Sequence, residues 1–254
     1  MSRLKSGIIL KDKIFVPDYD DYGEMMIELG IEGNLMNISE KFVCFELSPI
    51  DGNVFSNIDN WVLTIVQDVF PKWWNEKEYK PKILKAVKEW AKTHIHINNR
   101  DLNVNKEIHY VKDSEVDAYG TSTIVSYGNS IVVSYDNSRV YSYDKSTVTS
   151  YNNSIIKSHN NSDIETYDNS MVEAFDKSVV MASGMSVVLA FNNSNVECYD
   201  VTTVTVYNKA IIKAYDDSTI IGKINNVTLF DNATCKDIYS KKVYVAGNWE
   251  LEKV

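Results

Sequence analysis

The sequence predicts an α+β N-terminal domain over residues 1–107, an all-β solenoid of the parallel β-helix kind over 108–234, and a C-terminal capping hairpin over 235–254. Three observations lead there. From Val116 the chain repeats every eight residues, thirteen times without a gap, to Thr219. Each repeat carries β-branched residues and its own turn residues, a period of eight that no amphipathic helix can follow. Helical patterning, with apolar residues three and four apart, is confined to the first 107 residues.

In chain order, Gly7–Leu10, Lys13–Val16 and Lys41–Leu47 are apolar or alternating runs and read as strands. A helix is expected from Asp20 to Gly30, with Met25, Met26 and Leu29 on its apolar side. A second is expected from Asn57 to Val69, stopped by Pro71, with Trp61, Val62, Ile65 and Val69 inward. A third is expected from Pro81, a residue suited to a first turn, to Thr93, burying Ile83, Leu84, Val87 and Trp90. Lys82, Lys85, Lys88 and Lys92 make the rest of that surface basic, which is read as a solvated helix face.

The octads run VDAYGTST, IVSYGNSI, VVSYDNSR, VYSYDKST and onward to IKAYDDST. A degenerate octad at Ile108–Glu115 precedes them, and a seven-residue slip at Ile220–Asn226 separates them from a last one beginning at Val227. Position one is Val or Ile, position four is usually aromatic, position five is Asp, Asn or Gly, and position seven is nearly always Ser or Thr. Strand alternation then points positions seven, one and three inward and eight, two and four outward. Asp, Asn and Gly at position five tolerate the left-handed backbone of a tight corner.

One octad cannot bury its own face, so the units must stack. Lys145, Lys177 and Lys209 occupy position six at intervals of 32, a multiple of 16 and not of 24, which favours two octads per coil over three. Two outward aromatic ladders follow: Tyr119, Tyr135, Tyr151, Tyr167, Tyr199 and Tyr215 in one, and Tyr127, Tyr143, Phe175, Phe191 and Tyr207 in the other. At the far end, Lys242–Ala246, Gly247-Asn248 and Trp249–Leu251 read as a hairpin that covers the last open strand edge with Trp249.

The net charge of −9 is uneven: 14 basic and 17 acidic residues in 1–107, 8 and 15 in 108–234, and 4 and 3 in 235–254. An acidic solenoid repels phosphate backbones and attracts a basic protein partner. Cys44, Cys198 and Cys235 are far apart and odd in number, which fits a reducing, cytoplasmic compartment. The N-terminal apolar run Gly7–Leu10 is too short for a signal peptide, and no run approaches a membrane helix.

Searching for chemistry yields no catalytic residue, no cofactor and no metal site. Asp18-Tyr-Asp20-Asp21-Tyr-Gly23 falls short of a calcium loop, because the twelfth position is Leu29 where a bidentate Glu is required. His94-Ile-His96 places two imidazoles on one face of an expected strand, but neither it nor His109 has a recognisable third ligand. One carboxylate per corner, as at Asp136, Asp144, Asp168, Asp176, Asp200 and Asp216, is what turn chemistry already requires.

The repeat departs from itself at Ser183-Gly184-Met185, where outward residues turn apolar: Met171, Val179, Met181, Met185, Val187 and Leu189. Such a patch is expected to be an interface with a partner, with a second copy of the chain, or with the N-terminal domain. On motifs such as Ser134-Tyr-Asp-Asn-Ser138 and Thr166-Tyr-Asp-Asn-Ser170, half of the chain resembles the AYDNSTV-type octapeptide arrays of uncharacterised bacterial and bacteriophage proteins. That resemblance implies a solenoid and no activity. The expected function is non-enzymatic binding of a protein partner, in its sharper form phage-type inhibition of a host defence factor in the cytoplasm, by imitation of nucleic-acid charge. The alternative is a glycan-binding or structural virion component.

Overall fold

The computed structural model describes residues 5–31, 41–223, 226–246 and 248–253, the last stretch as backbone only. The chain divides into two compact units, residues 1–95 and 96–254.

In the first unit, β1 (Lys5–Leu10), β2 (Lys13–Phe15), β3 (Val43–Ser48) and β4 (Val62–Ile65) form an antiparallel sheet in the order β2-β1-β3-β4. Gly7 sits where the sheet is tightest: a Cβ there would lie 2.5 Å from the Phe15 carbonyl and 2.6 Å from the Phe45 ring. Helix α1 (Tyr22–Glu28) starts at Asp21, whose carboxylate accepts the Glu24 N–H, and buries Met25 beside Ile8, Phe42 and Cys44.

Helix α2 spans Glu76–His94, with the Asn75 side chain accepting the Lys77 N–H as its cap. It thus begins five residues before Pro81. Pro81 is its sixth residue and forgoes one helical N–H bond. The buried stripe runs Tyr79, Ile83, Val87, Trp90, Ala91 and His94, close to the expected one, with Leu84 half-buried.

The helix expected over Asn57–Val69 is absent. Asn57 caps a short 3-10 turn, Ile58–Asn60, after which β4 pairs with β3 through Phe45↔Ile65 and Leu47↔Leu63. The apolar spacing of Trp61, Val62 and Ile65 suits a helix or a strand equally. The run Val62-Leu-Thr-Ile-Val66 is β-branched at four of five positions, and the free edge of β3 decides the matter.

The second unit is a β-solenoid of about nine turns. It has two sheets, one of nine strands from Leu102–Val104 to Val227–Leu229 and one of twelve from Ile95–Ile97 to Asn248–Lys253. Through the regular octads a strand pairs in parallel with the one sixteen residues on, as in Ile131↔Thr147 and Arg139↔Ile155, while the first pairs are offset by fourteen, Leu102↔Val116, and fifteen, Ile108↔Thr123. After the slip the offset becomes fifteen, as in Ile212↔Val227 and Thr219↔Thr234. Strand pairing begins well before residue 108, where the octad spacing first becomes legible: Leu102–Val104 already pairs with Val116–Ala118, and Val104 is buried. A three-residue strand has no period to display. At the other end Lys242–Val245 lies antiparallel to Thr234–Asp237, and Asn248–Lys253 antiparallel to it. Gly247 and the Trp249 side chain lie outside the described residues.

Burial follows the expected alternation. Val132, Val148 and Val172 at position one and Ser122, Ser130 and Ser138 at position seven are fully buried, and position three is fully buried as Ser, Ala, Cys or Thr166, with Val206 partly buried. Each buried Val or Ile contributes about 1.5–3 kcal/mol relative to exposure, and the small residues beside it let the two sheets approach.

Candidate functional site

The outward surface of the solenoid is built from its corners. At position five the backbone is left-handed in every regular octad: Asp136 has φ 58°, Asn152 59°, Asp168 58°, Asp200 56° and Asp216 52°. Asp and Asn are among the few side chains that accept this conformation, and here they also accept hydrogen bonds. Asn152 Oδ1 takes the Asp136 N–H at 3.1 Å, Asp168 Oδ2 takes the Asn152 N–H at 2.9 Å, and Asp216 Oδ2 takes the Asp200 N–H at 3.1 Å, each across one coil. Position-seven serines close the same turns: Ser138 Oγ donates to the Tyr135 carbonyl at 2.7 Å and Ser146 Oγ to that of Tyr143 at 2.8 Å. The corner carboxylates are therefore turn-building groups.

Beside the corners stand the rings. In one column Tyr119, Tyr135, Tyr151 and Tyr167 stack at centroid distances of 4.9, 5.3 and 5.1 Å. Beyond Ser183 it resumes with Tyr199, Tyr215 and Phe230 at 4.9 and 4.6 Å. In the other, Tyr127, Tyr143, His159, Phe175, Phe191 and Tyr207 stack without a break at 4.6 to 5.1 Å. All eleven expected ring positions are in these columns. His159 and Phe230 join them; the signal for both was position four of their octads. Burial pushes the phenols of Tyr127, Tyr135, Tyr167 and Tyr199 above the ordinary tyrosine range.

Outward charges at position two pair across coils. Lys157 Nζ lies 2.9 Å from Glu173, and Lys213 Nζ lies 2.6 Å from Glu197. The hydrogen bond from Lys213 holds the Glu197 carboxyl below the usual range, and its return raises Lys213.

The apolar patch around Ser183 is not one surface. Val179 and Met181 lie on the nine-stranded sheet, while Met171, Val187 and Leu189 lie on the twelve-stranded sheet. The two sheets turn their inner faces toward one core, so these outward groups face opposite ways, with Met185 at a corner between them. In the regular octads, residues eight apart in sequence are on opposite sheets, and those sixteen apart are neighbours. On the nine-stranded face, Val179 (45 % exposed) and Met181 (44 %) share a groove of about 490 Å³ with Ile211 (53 %), Asn195, Glu197 and Lys213. Ile211 was legible as a position-eight residue 32 residues beyond Val179, once sixteen is the spacing.

The histidines separate. His94 ends α2, with Nε2 2.8 Å from the Asp18 carboxylate and its ring stacked on Trp90. His96 lies in the strand Ile95–Ile97 and has Nε2 3.3 Å from His109 Nδ1. Because the helix runs through His94, no strand alternation puts His94 and His96 on one face. In the calcium-like segment, Asp20 bonds Lys5 Nζ and the Ser6 N–H, and Asp21 caps α1. No helix among the described residues is long and apolar enough to cross a membrane.

Against known protein families, characterised proteins and solved structures, the chain has no match.

Proposed function

We propose that the chain is a non-enzymatic interaction protein, in which the first unit forms an α+β domain and a solenoid of two octads per coil presents an acidic, Tyr-laddered surface to a protein partner. The observation that carries this reading is the groove formed by Val179, Met181 and Ile211 on the nine-stranded face. Elsewhere the outward positions of that sheet are mixed with charge, as at Glu115, Asp117, Asp163 and Glu165. An apolar strip framed by carboxylates suits a basic protein surface with an apolar centre.

The resemblance to bacterial and phage octapeptide arrays supports the sharper form, an inhibitor of a host factor in the cytoplasm. Imitation of nucleic acid has less support, because Lys157 and Lys213 neutralise carboxylates of the neighbouring coils. Glycan binding also has less support. Sugars stack on open ring faces, and within the columns each ring covers its neighbour's except across the step at Ser183.

The test is capture of partners from a bacterial lysate by the tagged chain, with and without nuclease. Two folded variants run beside it, Met181→Lys/Ile211→Lys on the grooved face and Leu189→Lys on the opposite one. A stoichiometric protein that resists nuclease, is retained by the Leu189 variant and is lost from the double variant supports the proposal. Equal capture by all three removes the groove from it.

A further inference from the structure

The ring column on the nine-stranded side skips one step. Ser183 occupies position four of its coil, and its N–H bonds the Thr166 carbonyl, while the Tyr199 N–H bonds the Ala182 carbonyl. Ser183 therefore stands directly between Tyr167 on one coil and Tyr199 on the other. Among the described residues each of those rings stacks on a neighbour on its far side only, Tyr167 on Tyr151 and Tyr199 on Tyr215. Two strand spacings separate them, roughly 9.6 Å, which is the room one ring occupies everywhere else in the ladder. The corner ladder breaks at the same coil. Gly184, at φ 74°, has no side chain to accept the Asp168 N–H as Asn152 accepts that of Asp136.

The rim of this slot is acidic. Glu165 accepts from the Tyr167 hydroxyl and Glu197 from the Tyr199 hydroxyl, both at 3.3 Å. Glu197 is already paired with Lys213, whereas Glu165 has no cation within ion-pair distance among the described residues. Met181 lies between the two glutamates in strand register and is 44 % exposed beside the missing ring.

We infer that the slot at Ser183 binds a planar cation, the guanidinium of an arginine side chain on the protein partner, between Tyr167 and Tyr199 and against Glu165. Guanidinium is flat enough to replace a ladder ring, is attracted to the faces of both tyrosines, and forms directed hydrogen bonds to a carboxylate. A neutral ring would fill the space and leave Glu165 unused. A nucleobase would bring a phosphate into an acidic surface. This inference rests on the interaction reading and supplies the chemistry that reading lacks.

The test is a titration of the full chain, with tyrosine ring signals followed by NMR, using Nα-acetyl-arginine amide as probe and the lysine amide, the phenylalanine amide and a mononucleotide beside it. The arginine probe is expected to shift Tyr167 and Tyr199 saturably and leave Tyr127 and Tyr143 unmoved. Ser183→Tyr, which restores the ladder, is expected to abolish the shift. Glu165→Gln should weaken it about fivefold, the size of one exposed ion pair. Should Ser183→Tyr fail to fold, Tyr199→Leu removes one wall and is expected to do the same. No saturable shift, a shift that survives in Ser183→Tyr and Tyr199→Leu, or equal binding of the phenylalanine amide or the nucleotide would overturn the inference. Because the probe is a small molecule, a negative titration leaves the lysate capture to stand or fall by itself.

Discussion

At the residue scale, the solenoid uses serine in two unlike ways that its sequence does not distinguish. Position-seven serines of the regular octads other than Ser170 donate to the carbonyl three residues back, as Ser146 does to Tyr143 at 2.8 Å. Position-three hydroxyls of Ser126, Ser134, Ser142, Ser150, Ser158 and Thr166 are buried with no hydrogen-bond partner among the described residues. Later coils put Ala174, Ala182, Ala190 and Ala214 in that same place, fully buried, so the site already accommodates a methyl group. Ser150→Ala should therefore stabilise the protein, by about 1 kcal/mol, because it removes an orphaned buried polar group. Ser146→Ala should destabilise it by about the same amount, because it removes a made bond and frees a carbonyl lone pair. Opposite shifts of the two urea midpoints would establish the difference; shifts of the same sign would mean that the position-three hydroxyls find partners in solution. The inward direction of both serines was legible from strand alternation alone. Which of them is satisfied depends on the corner, whose left-handed residue brings the position-four carbonyl over position seven but not over position three.

At the element scale, the first unit depends on a buried cation. Lys5 on β1 is 1 % exposed, with Nζ 2.9 Å from Asp20 Oδ1, 3.3 Å from the Tyr19 carbonyl and 5.1 Å above the Trp90 ring of α2. The ammonium thus ties the loop before α1 to the sheet and to α2. Asp20→Ala is expected to cost about 2 kcal/mol, less than a fully buried pair would because Asp20 is half-exposed. Lys5→Met, which removes the charge and keeps the stem, should cost less. Thermal unfolding of the two variants decides it, and a larger loss in Lys5→Met would show that the ammonium's contacts with the Tyr19 carbonyl and the Trp90 ring outweigh its pair with Asp20. Nothing in the sequence marks Lys5 as buried, since a lysine between Leu4 and Ser6 reads as an exposed flank. The same limit explains β4. The periodicity of Trp61, Val62 and Ile65 is local, whereas the edge of β3 that captures them is more than a dozen residues away. The octads escaped this limit because their contacts recur at a fixed sequence interval and are written thirteen times. The patch at Ser183 was visible as a lapse in that rhythm. Its division between two faces was hidden, because proximity in sequence and proximity in space differ by one octad.

At the scale of the whole molecule, burial holds the thiols and several ladder phenols in their protonated form. Burial pushes the Cys44 and Cys235 thiols up to about 12 and that of Cys198 up to about 11, against an ordinary 9.0. Desolvation raises Tyr127, Tyr135, Tyr167 and Tyr199 as well. In each case the folded state holds a proton that the unfolded chain releases earlier, so the unfolded state binds fewer protons and stability falls as pH rises. The full contribution is present below about pH 9 and is lost across the interval up to about 12. The Tm should therefore be flat from neutral pH to about 9 and fall beyond it, with tyrosinate absorbance appearing in step with unfolding; early tyrosinate absorbance without unfolding would mean that the ladders are open to solvent. A solenoid also carries an open strand edge at each end of each sheet, ready to pair with any other edge. On the twelve-stranded sheet the last parallel strand, Thr234–Asp237, is covered by Lys242–Val245, which runs antiparallel to it. Antiparallel pairing matters here because it breaks the register that would let another solenoid continue the stack. Ending the chain at Ser240 would expose Thr234, Cys235, Lys236 and Asp237 as a parallel-competent edge. We expect that truncated chain to keep its β circular dichroism and to associate end to end, with a mass by light scattering that rises with concentration while the full chain stays constant. A truncated chain that remains monomeric would show that the slip at Ile220–Asn226, and not the terminal strands, is what stops the stack from growing.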